Sequence, residues 1–325
     1  NHEAGQKYQR ALEIDADHVD AHAGLANSLL ADGQFANGWK HFLQRTSVLA
    51  IASHIDRAPF ASDLDGTRVT VIADQGLGDQ VFFARYIPAL KARGARVTFQ
   101  PDPRIADMLR RAGIADEIVP AETPADGDLV VSSGDLPFLL GSEDVDPTPV
   151  PYEIPVLTER EEILRSKLTA FGPPPWVGVT WRAGTPNMRQ ALLKEAPVAL
   201  FASALRDAPG TVIVVQRDAA EGETDRFTAA LGRPVLDLSA LNEDIEDLLA
   251  LSGLLDRYVS VSNTMTHLRA ARQKSSDVIV PRPAEYRWMN TGAASPWFPE
   301  TKIHRQMPDS TWSQAFDGLS ASLKD

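Results

Sequence analysis

Hydrophobic and polar positions follow two different periods along the 325-residue chain. Over residues 1–50, small and apolar residues recur with helical spacing, and Ala4, Tyr8 and Ala11 share one helical face. The same spacing returns 34 positions later, at Gly38, Phe42 and Arg45. We therefore expect this first stretch to form a set of packed helices.

A 34-residue period is that of the tetratricopeptide repeat (TPR), in which each unit is a pair of helices. By this spacing the chain begins in the second helix of one repeat and then carries one complete repeat. Because one or two repeat units are not stable alone, we expect further repeats upstream or docking of these helices on the next domain. An unrelated helical hairpin is the alternative interpretation.

Beyond residue 66, short apolar runs alternate with helical stretches. The runs predict strands at 69–73, 96–100, 117–119, 129–132, 177–181, 211–216, 235–238, 258–261 and 277–280. The stretches between them predict helices at 80–93, 104–112, 199–207, 223–231, 245–251 and 265–272. This alternation predicts parallel sheets with crossover helices.

Proline-rich segments at 147–155 and 173–175 flank a predicted helix over 159–171, which divides the alternation into two halves. The expected fold class is α/β, with two Rossmann-like domains facing across a cleft at the carboxyl ends of their strands. This architecture is called GT-B. The predicted domains are the TPR helices at 1–50, an N-terminal domain at 51–155 and a C-terminal domain at 156–325.

Composition narrows the range of partners. The net charge of −12 argues against nucleic acid, which requires a broad basic face. The longest apolar runs fall far short of the roughly 20 residues that span a membrane, so we expect no stable membrane insertion. The absence of cysteine excludes disulfides and thiolate chemistry, and is compatible with a cytoplasmic location.

A glycine-containing turn follows the first predicted strand and opens a helix. Gln75, Gly76 and Gly78 form this turn, and its backbone N–H groups could meet an anion or a sugar hydroxyl. A third glycine at the offset of the dinucleotide fingerprint is missing. Asp79 is a candidate general base that deprotonates an acceptor hydroxyl, as inverting transfer requires. Alternatively, Asp79 caps the helix.

Two strand ends in the second half carry candidate ligands for a nucleotide sugar. Arg182 follows the strand at 177–181, where its guanidinium could bind phosphate in a bidentate manner, and Arg189 could add to it. A surface ion pair is the alternative for each arginine. Gln216 ends the next predicted strand and is a further candidate.

A strand also runs directly into small polar residues at Ser262, Asn263 and Thr264. Such residues can cap a helix and present hydroxyl and N–H groups to a phosphate. His267, one turn into the helix, is either an additional donor or a structural residue. The aspartate pairs 63/65, 126/128 and 144/146 are expected to be solvated turns rather than a cation site, so we expect metal-independent chemistry.

Taken together, these residues resemble a bacterial group of TPR proteins whose C-terminal part is similar to the lipopolysaccharide heptosyltransferase family. The resemblance covers residue 65 to the end. Its markers are 74–79 (DQGLGD), 83–88 (FARYIP), 181–184 (WRAG), 260–268 (SVSNTMTHL), 286–288 (YRW) and 295–299 (SPWFP). Their order and spacing make the set specific, although each marker alone is weak.

The resemblance implies a glycosyltransferase that uses a nucleotide sugar as substrate and needs no cofactor. The N-terminal domain would receive the acceptor, with Asp79 as base, and the C-terminal domain would hold the donor. Arg287, with Tyr286 and Trp288, would lie on the loop after the last core strand, near the donor. Some relatives with repeats glycosylate proteins, including flagellin with nonulosonic acids, so the resemblance implies that the TPR segment would capture a protein acceptor.

Three positions depart from the family pattern. Asn263 stands where aspartate is common, Arg182 replaces an alanine, and residues 273–276 lack the glycine that usually follows the helix. These changes allow a changed donor, or an inert scaffold that binds protein partners. A nucleotide-sugar epimerase is a further alternative, which would form product without an acceptor.

Overall fold

The computed structural model describes residues 2–141, 152–183 and 194–324. The chain divides into two compact units. The first comprises Asn1–Pro155 together with Glu285–Gly292, and the second comprises Val156–Ala284 and Ala293–Asp325. One short segment late in the chain therefore belongs to the first unit.

The first unit begins with helices, as the early periodicity predicts. They are α1 (His2–Ile14), α2 (Val19–Ala31), α3 (Phe35–Phe42) and the short α4 (Thr46–Leu49). Glycine allows two close approaches: a Cβ on Gly24 would lie 2.3 Å from the Tyr8 ring, and one on Gly38 would lie 2.6 Å from Leu30. The helices are thus packed at the spaced small positions, while their identity as TPR units stays a prediction.

Arg45 shows how this helical segment is joined to the first sheet. It lies beyond the end of α3, is 5% exposed, and donates to Asp74 at 2.7 Å and to Asp135 at 2.5 Å. Burial by itself raises the pKa of Asp74, but the adjacent Arg45 outweighs this and holds the pKa below its usual value. A buried cation needs such partners. Arg45 therefore docks the helical segment on the sheet.

The first sheet has four parallel strands in the order β3-β2-β1-β4. The strands are β1 (Arg68–Ile72), β2 (Arg96–Gln100), β3 (Glu117–Ile118) and β4 (Leu129–Ser132). The helices among and after them are α5 (Leu77–Ala84), α6 (Ile87–Ala92), α7 (Pro103–Ala112) and α8 (Leu136–Leu139). Alternate residues of β1 and β2, including Val69, Val71, Val97 and Phe99, are fully or almost fully buried.

The prediction of one helix over 80–93 is wrong. The structure has two helices, α5 and α6, separated at Arg85 and Tyr86. Pro88 is the second residue of α6. Because proline lacks an N–H group and its ring clashes with the carbonyl four residues earlier, an unbroken helix is disfavoured there, whereas proline fits a first turn.

The second unit contains a six-stranded parallel sheet in the order β12-β11-β10-β5-β8-β9 and a small antiparallel pair, β6 with β7. Its strands are β5 (Trp176–Thr180), β6 (Arg182–Ala183), β7 (Lys194–Glu195), β8 (Thr211–Val214), β9 (Leu236–Asp237), β10 (Arg257–Val261), β11 (Asp277–Val280) and β12 (Lys302–Arg305). Its helices are α9 (Thr158–Phe171), α10 (Val198–Leu205), α11 (Glu223–Leu231), α12 (Ile245–Leu254), α13 (Thr264–Ala271) and α14 (Ser313–Ser322).

The central strands of this sheet are buried along their length, as parallel strands covered on both faces require. The predicted mixed α/β fold with parallel sheets is thus confirmed. Five elements of the two units had no prediction, namely the strands β6, β7 and β12 and the helices α8 and α14. The sequence of β12, KIHR, is too polar to stand out as an apolar run.

Candidate functional site

The first group of candidate residues lies in the turn between β1 and α5. Gln75 has φ 68°, a left-handed backbone conformation that is uncommon for a side chain of this size. Its side-chain Nε2 is buried and has no hydrogen-bond partner among the described residues, and its carbonyl accepts from Gln80 at 3.3 Å. Gly76 is the N-cap of α5, and Gly78 lies in the first turn. The turn therefore brings the predicted acceptor-side residues to the carboxyl end of β1.

Asp79 also lies in the first turn of α5, and its partner is a cation distant in sequence. Arg287 Nη2 donates to Asp79 Oδ1 at 2.6 Å, and the same guanidinium donates to Glu285. The Asp79 side chain is 30% exposed and that of Arg287 only 4%. Burial lowers the pKa of Arg287, but the neighbouring Tyr286, Asp79 and Glu285 outweigh it and raise that pKa above its ordinary value.

Arg287 therefore lies in the first unit, in the 3-10 turn Tyr286–Trp288. It follows β11, the last strand that the sequence predicts, and precedes the edge strand β12, for which there was no prediction. Its assignment to donor binding stays a prediction, and its guanidinium already has two carboxylate partners.

In the second unit, Arg182 lies just after β5 and is held by a carboxylate. Its Nη2 donates to Glu223 at 2.8 Å and to the carbonyl of Asp218 at 3.1 Å. Glu223 also accepts from Trp181 Nε1 at 2.7 Å. Burial raises the pKa of Glu223, but these hydrogen bonds and that of Ala220 outweigh it and keep the pKa below its usual value. Arg182 is thus oriented by an ion pair.

Gln216 braces the same strand end. Its Oε1 accepts from the backbone N–H groups of Trp181 and Arg182 at 3.1 and 3.0 Å, and its Nε2 donates to the carbonyls of Arg182 and Arg217. The side chain is buried, with 1% of the residue exposed. These contacts give Gln216 a structural role, and its predicted contact with a nucleotide sugar stays a prediction.

Asn263 caps α13 at the carboxyl end of β10. Its Oδ1 accepts from the N–H of Thr266 at 3.2 Å, and its Nδ2 donates to the carbonyl of Val261 at 3.0 Å and to Tyr258 Oη at 2.9 Å. Tyr258 Oη in turn donates to Thr180 Oγ1 at 2.8 Å. A buried network that spans β10 and β5 thus fixes the cap.

The other predicted residues of this turn surround the start of α13. Ser262 is buried and Thr264 begins the helix. Within the part of the chain that the structure describes, the buried Thr266 Oγ1 has no hydrogen-bond partner. His267 is 5% exposed and packs on the Phe298 ring with 5.4 Å between centroids. Helix N-termini favour anions because their first N–H groups have no helical acceptor.

The missing family glycine has a structural counterpart. Gln273, which follows α13, has φ 55°, so the chain keeps the left-handed conformation that glycine would adopt without steric cost. Although the glycine is absent from the sequence, the backbone after α13 therefore follows the course expected of a helix that ends at glycine.

Several sequence predictions fall outside the described residues: Arg189, Gly184 and the aspartates at 144 and 146. Of the other aspartate pairs, Asp126 and Asp128 bind the exposed Arg68, and Asp63 accepts from the N–H of Asp65. Within 2–141, 152–183 and 194–324, no group of three or more His, Asp or Glu residues is arranged to hold a metal ion.

Sequence reasoning missed three residues that hold the candidates in place, namely Glu223, Tyr258 and Glu285. Glu223 and Tyr258 were assigned only as ends of regular elements. Glu223 pairs with Arg182, which is 41 positions away in sequence, and Tyr258 donates to Thr180, which is 78 positions away. No local signal in the chain indicates these pairings.

Comparison with solved structures identifies the fold. The structure of a family 9 glycosyltransferase from Veillonella parvula superposes with a TM-score of 0.57 and 11% identity, covering 82% of this chain and 92% of that one. The ADP-heptose lipopolysaccharide heptosyltransferase II of E. coli gives 0.54 and 13%, covering 79% and 98%. The chain has a GT-B glycosyltransferase fold.

Sequence comparison also finds a relative. The chain is 26% identical to the protein FlbA of Caulobacter vibrioides over 339 aligned positions, which cover 92% of this chain and 54% of FlbA. It thus spans about half the length of that relative. No family model matches the sequence. In the described part of the chain, every helix is too short or too polar to cross a bilayer.

Proposed function

We propose that this protein is a glycosyltransferase that moves a sugar from a nucleotide-sugar donor to a protein or surface-glycan acceptor. One observation carries the proposal. In a GT-B glycosyltransferase fold, each unit has a helix that starts at the carboxyl end of a central parallel strand and bears candidate groups at that start. At the start of α5 the candidate group is the carboxylate of Asp79. At the start of α13 the candidate groups are the first N–H groups of the helix, which is capped by a neutral amide side chain.

In the proposed reaction, Asp79 Oδ2 takes the proton of an acceptor hydroxyl. The acceptor oxygen forms a bond to the anomeric carbon of the donor sugar as the bond from that carbon to the phosphate oxygen breaks. The electron pair of the broken bond stays on the nucleotide phosphate. General-base catalysis of this kind contributes typically about 10²–10⁴-fold in rate.

The N-terminal end of α13 would receive the negative charge of the leaving phosphate. The amides of its first turn, with the hydroxyls of Ser262 and Thr264, are suitable donors. Arg182 and, from the sequence, Arg189 would add positive charge. We propose that this charge makes a divalent cation unnecessary for departure of the nucleotide.

The helices α1 to α3 would present the acceptor. If they belong to a longer TPR array, a concave helical surface suits an extended or helical segment of a protein, with flagellin as one candidate. A cytoplasmic location fits the cysteine-free sequence.

The test uses a panel of donors: ADP-heptose, GDP-fucose, UDP-N-acetylglucosamine and a CMP-nonulosonic acid. Each is incubated with the chain and with purified flagellin or lipopolysaccharide core, and sugar addition is followed by mass spectrometry. Wild type should transfer from one donor, and Asp79→Asn should lower turnover by about 10²-fold or more with nearly unchanged donor affinity. Asp317→Asn, an exposed change on α14, is the matched control. Normal turnover by Asp79→Asn would show that another group is the base.

A second candidate function is an inert scaffold that binds protein partners. It is favoured by the ion pairs Asp79–Arg287 and Arg182–Glu223, since both candidate ionic groups already have partners. Calorimetry with the same donor panel separates the two functions. A scaffold should give no saturable heat with any donor, whereas the transferase should bind at least one donor stoichiometrically.

A further inference from the structure

A short segment between β11 and β12 is built into the first unit. This segment, Glu285–Gly292, is here named the strap. Tyr286, Arg287 and Trp288 are 5%, 3% and 1% exposed within it. Such burial over three consecutive large residues makes the strap part of the core of the first unit rather than a surface loop.

Within the strap, the guanidinium of Arg287 is restrained on several sides. Besides its bonds to Asp79 and Glu285, its Cζ lies 4.4 Å from the centroid of the Phe82 ring and 4.6 Å from that of Tyr286. A planar guanidinium that both stacks on rings and donates from its fork has a defined orientation. Arg287 can therefore impose an orientation on the carboxylate that it binds.

The strap is itself fastened to α2 and the turn after it. The N–H of Tyr286 donates to Asn27 Oδ1 at 2.9 Å, and the N–H of Asn290 donates to the carbonyl of Ala31 at 2.9 Å. Asn290 Nδ2 also donates to Asp32. These contacts lie on both sides of Arg287, so the position of α2 determines the position of the arginine.

Met289, between these anchors, has φ 58° and ψ 168°. This backbone conformation is adopted almost only by glycine, and other residues keep it only where their surroundings force it. The strained residue indicates that the anchors, rather than local backbone preference, set the course of the strap.

The second oxygen of Asp79 has a different environment from the first. Oδ2 lies 3.5 Å from the point that a Cβ on Gly76 would occupy, so it faces the glycine turn. With 30% of the side chain exposed, an ionised carboxylate bound through Oδ1 keeps free lone pairs on Oδ2. A proton acceptor at this oxygen is thus compatible with the ion pair at the other.

We infer that Arg287 is a positioning residue for the general base, Asp79. The strap is anchored on α2 and holds Arg287 in place, so α2 indirectly fixes the orientation of the Asp79 carboxylate. The inference rests on the proposed function. During transfer, the acceptor's proton passes to Asp79 Oδ2 while Oδ1 stays hydrogen-bonded to Arg287. The arginine assigned to the donor by sequence thus acts on the acceptor side, and the helical segment is linked to the base through the strap.

The experiment compares Arg287→Lys and Asn27→Ala in the full chain, with the donor and acceptor identified by the panel. Lysine keeps the charge but lacks the planar fork, so kcat should fall by roughly 10²-fold, as for a misplaced catalytic group. Asn27→Ala removes an anchor and should lower kcat to a smaller extent. The donor Kd, measured by calorimetry, should stay within about twofold in both, because the inference assigns the strap to the acceptor side.

Matched controls are Arg160→Lys and Asn242→Ala, which change an arginine ion pair and an amide hydrogen bond in the second unit. Both should keep the wild-type kcat. Thermal unfolding checks that each variant is folded. If Arg287→Lys does not fold, the kcat of Asn27→Ala tests the inference.

Two results would overturn the inference alone while wild type is active: weakened donor binding at full kcat in Arg287→Lys, or unchanged kcat in Asn27→Ala. The first result would show that Arg287 binds the donor, as the sequence predicted. The second would show that α2 does not anchor Arg287. An inactive wild type that binds no donor would remove the proposed function and this inference together.

Discussion

At the scale of single residues, Asn263 uses both polar atoms of its amide. The oxygen caps α13, while the nitrogen donates to the carbonyl of Val261 and to Tyr258 Oη. An aspartate, common at this position in the family that the chain resembles, can accept the cap bond but cannot donate. The amide is therefore matched to its surroundings here, and its presence does not by itself indicate a damaged site.

This match leads to a prediction for Asn263→Asp. The new carboxylate would face the Val261 carbonyl without a donor between them, so the free energy of unfolding should fall by about 1–3 kcal/mol. Urea unfolding at pH 7 measures it. Asn242→Asp is the control, because the only hydrogen bond of that amide among the described residues goes to the Ser239 carbonyl, and Asn242 is only partly buried. Equal losses in the two variants would contradict the role given to the Tyr258 network.

At the scale of secondary-structure elements, one buried carboxylate ties together the last elements of the second unit. Asp277, at the start of β11, accepts from Arg257 of β10 at 3.0 Å, from His304 of β12 at 3.0 Å and from Ser322 of α14 at 3.0 Å. Burial by itself raises the pKa of Asp277, but the bonds from His304 and Arg257 outweigh it and lower the pKa below its usual value.

The sign of the resulting pH dependence follows from that lowered pKa. A carboxylate with a lower pKa in the folded state contributes stability above its unfolded pKa of about 3.9, and this contribution is lost as the pH falls through the folded pKa. Wild type should therefore lose more stability below pH 4 than Asp277→Asn, by an amount on the order of 1–3 kcal/mol.

Urea unfolding between pH 2 and pH 7 checks this prediction, with exposed Asp317→Asn as the control. Asp317→Asn should follow the wild-type curve. Parallel curves for wild type and Asp277→Asn in acid would mean that the aspartate does not link β10, β11, β12 and α14 in the way described.

At the scale of the whole molecule, the two units are not two consecutive pieces of chain. The strap returns to the first unit after most of the second has been completed. A fragment that ends at Pro155 therefore lacks the Tyr286 ring, which packs on Phe82, and the Arg287 guanidinium, which lies over the Phe82 and Phe83 rings.

We expect residues 1–155, produced alone, to have a lower free energy of unfolding than the first unit in the full chain. The loss should be at least the roughly 3–5 kcal/mol that removal of a large buried aromatic side chain costs. A synthetic peptide of residues 284–293 should raise the urea midpoint of the fragment in a saturable manner. A peptide of the same composition in scrambled order is the control. An unchanged midpoint with the native peptide would show that the strap adds nothing to the first unit.

Much of the fold could be predicted from local pattern. Nine predicted strands correspond to strands of the two sheets, because buried parallel strands are continuous apolar runs that differ from the helices between them. The break in the helix at Arg85 and the polar edge strand β12 were missed. For the break, Pro88 is a local signal that the prediction did not use, whereas β12 is a polar edge strand that only its pairing with β11 identifies.

For the candidate site, local pattern indicated which turns carry polar groups but not what those groups bind. The turn at Gly76 and the cap at Asn263 follow from short-range chemistry, since glycine and small polar residues have the same effect in any chain. The ion pair between Asp79 and Arg287 joins residues 208 positions apart, and that between Arg45 and Asp135 joins residues 90 apart. Such pairs depend on how the chain folds back on itself, and burial makes their partners obligatory without specifying them in advance. The residue pattern alone therefore determined the elements and their capping turns, whereas only the tertiary structure decided which charges hold the candidate base and the helical segment in place.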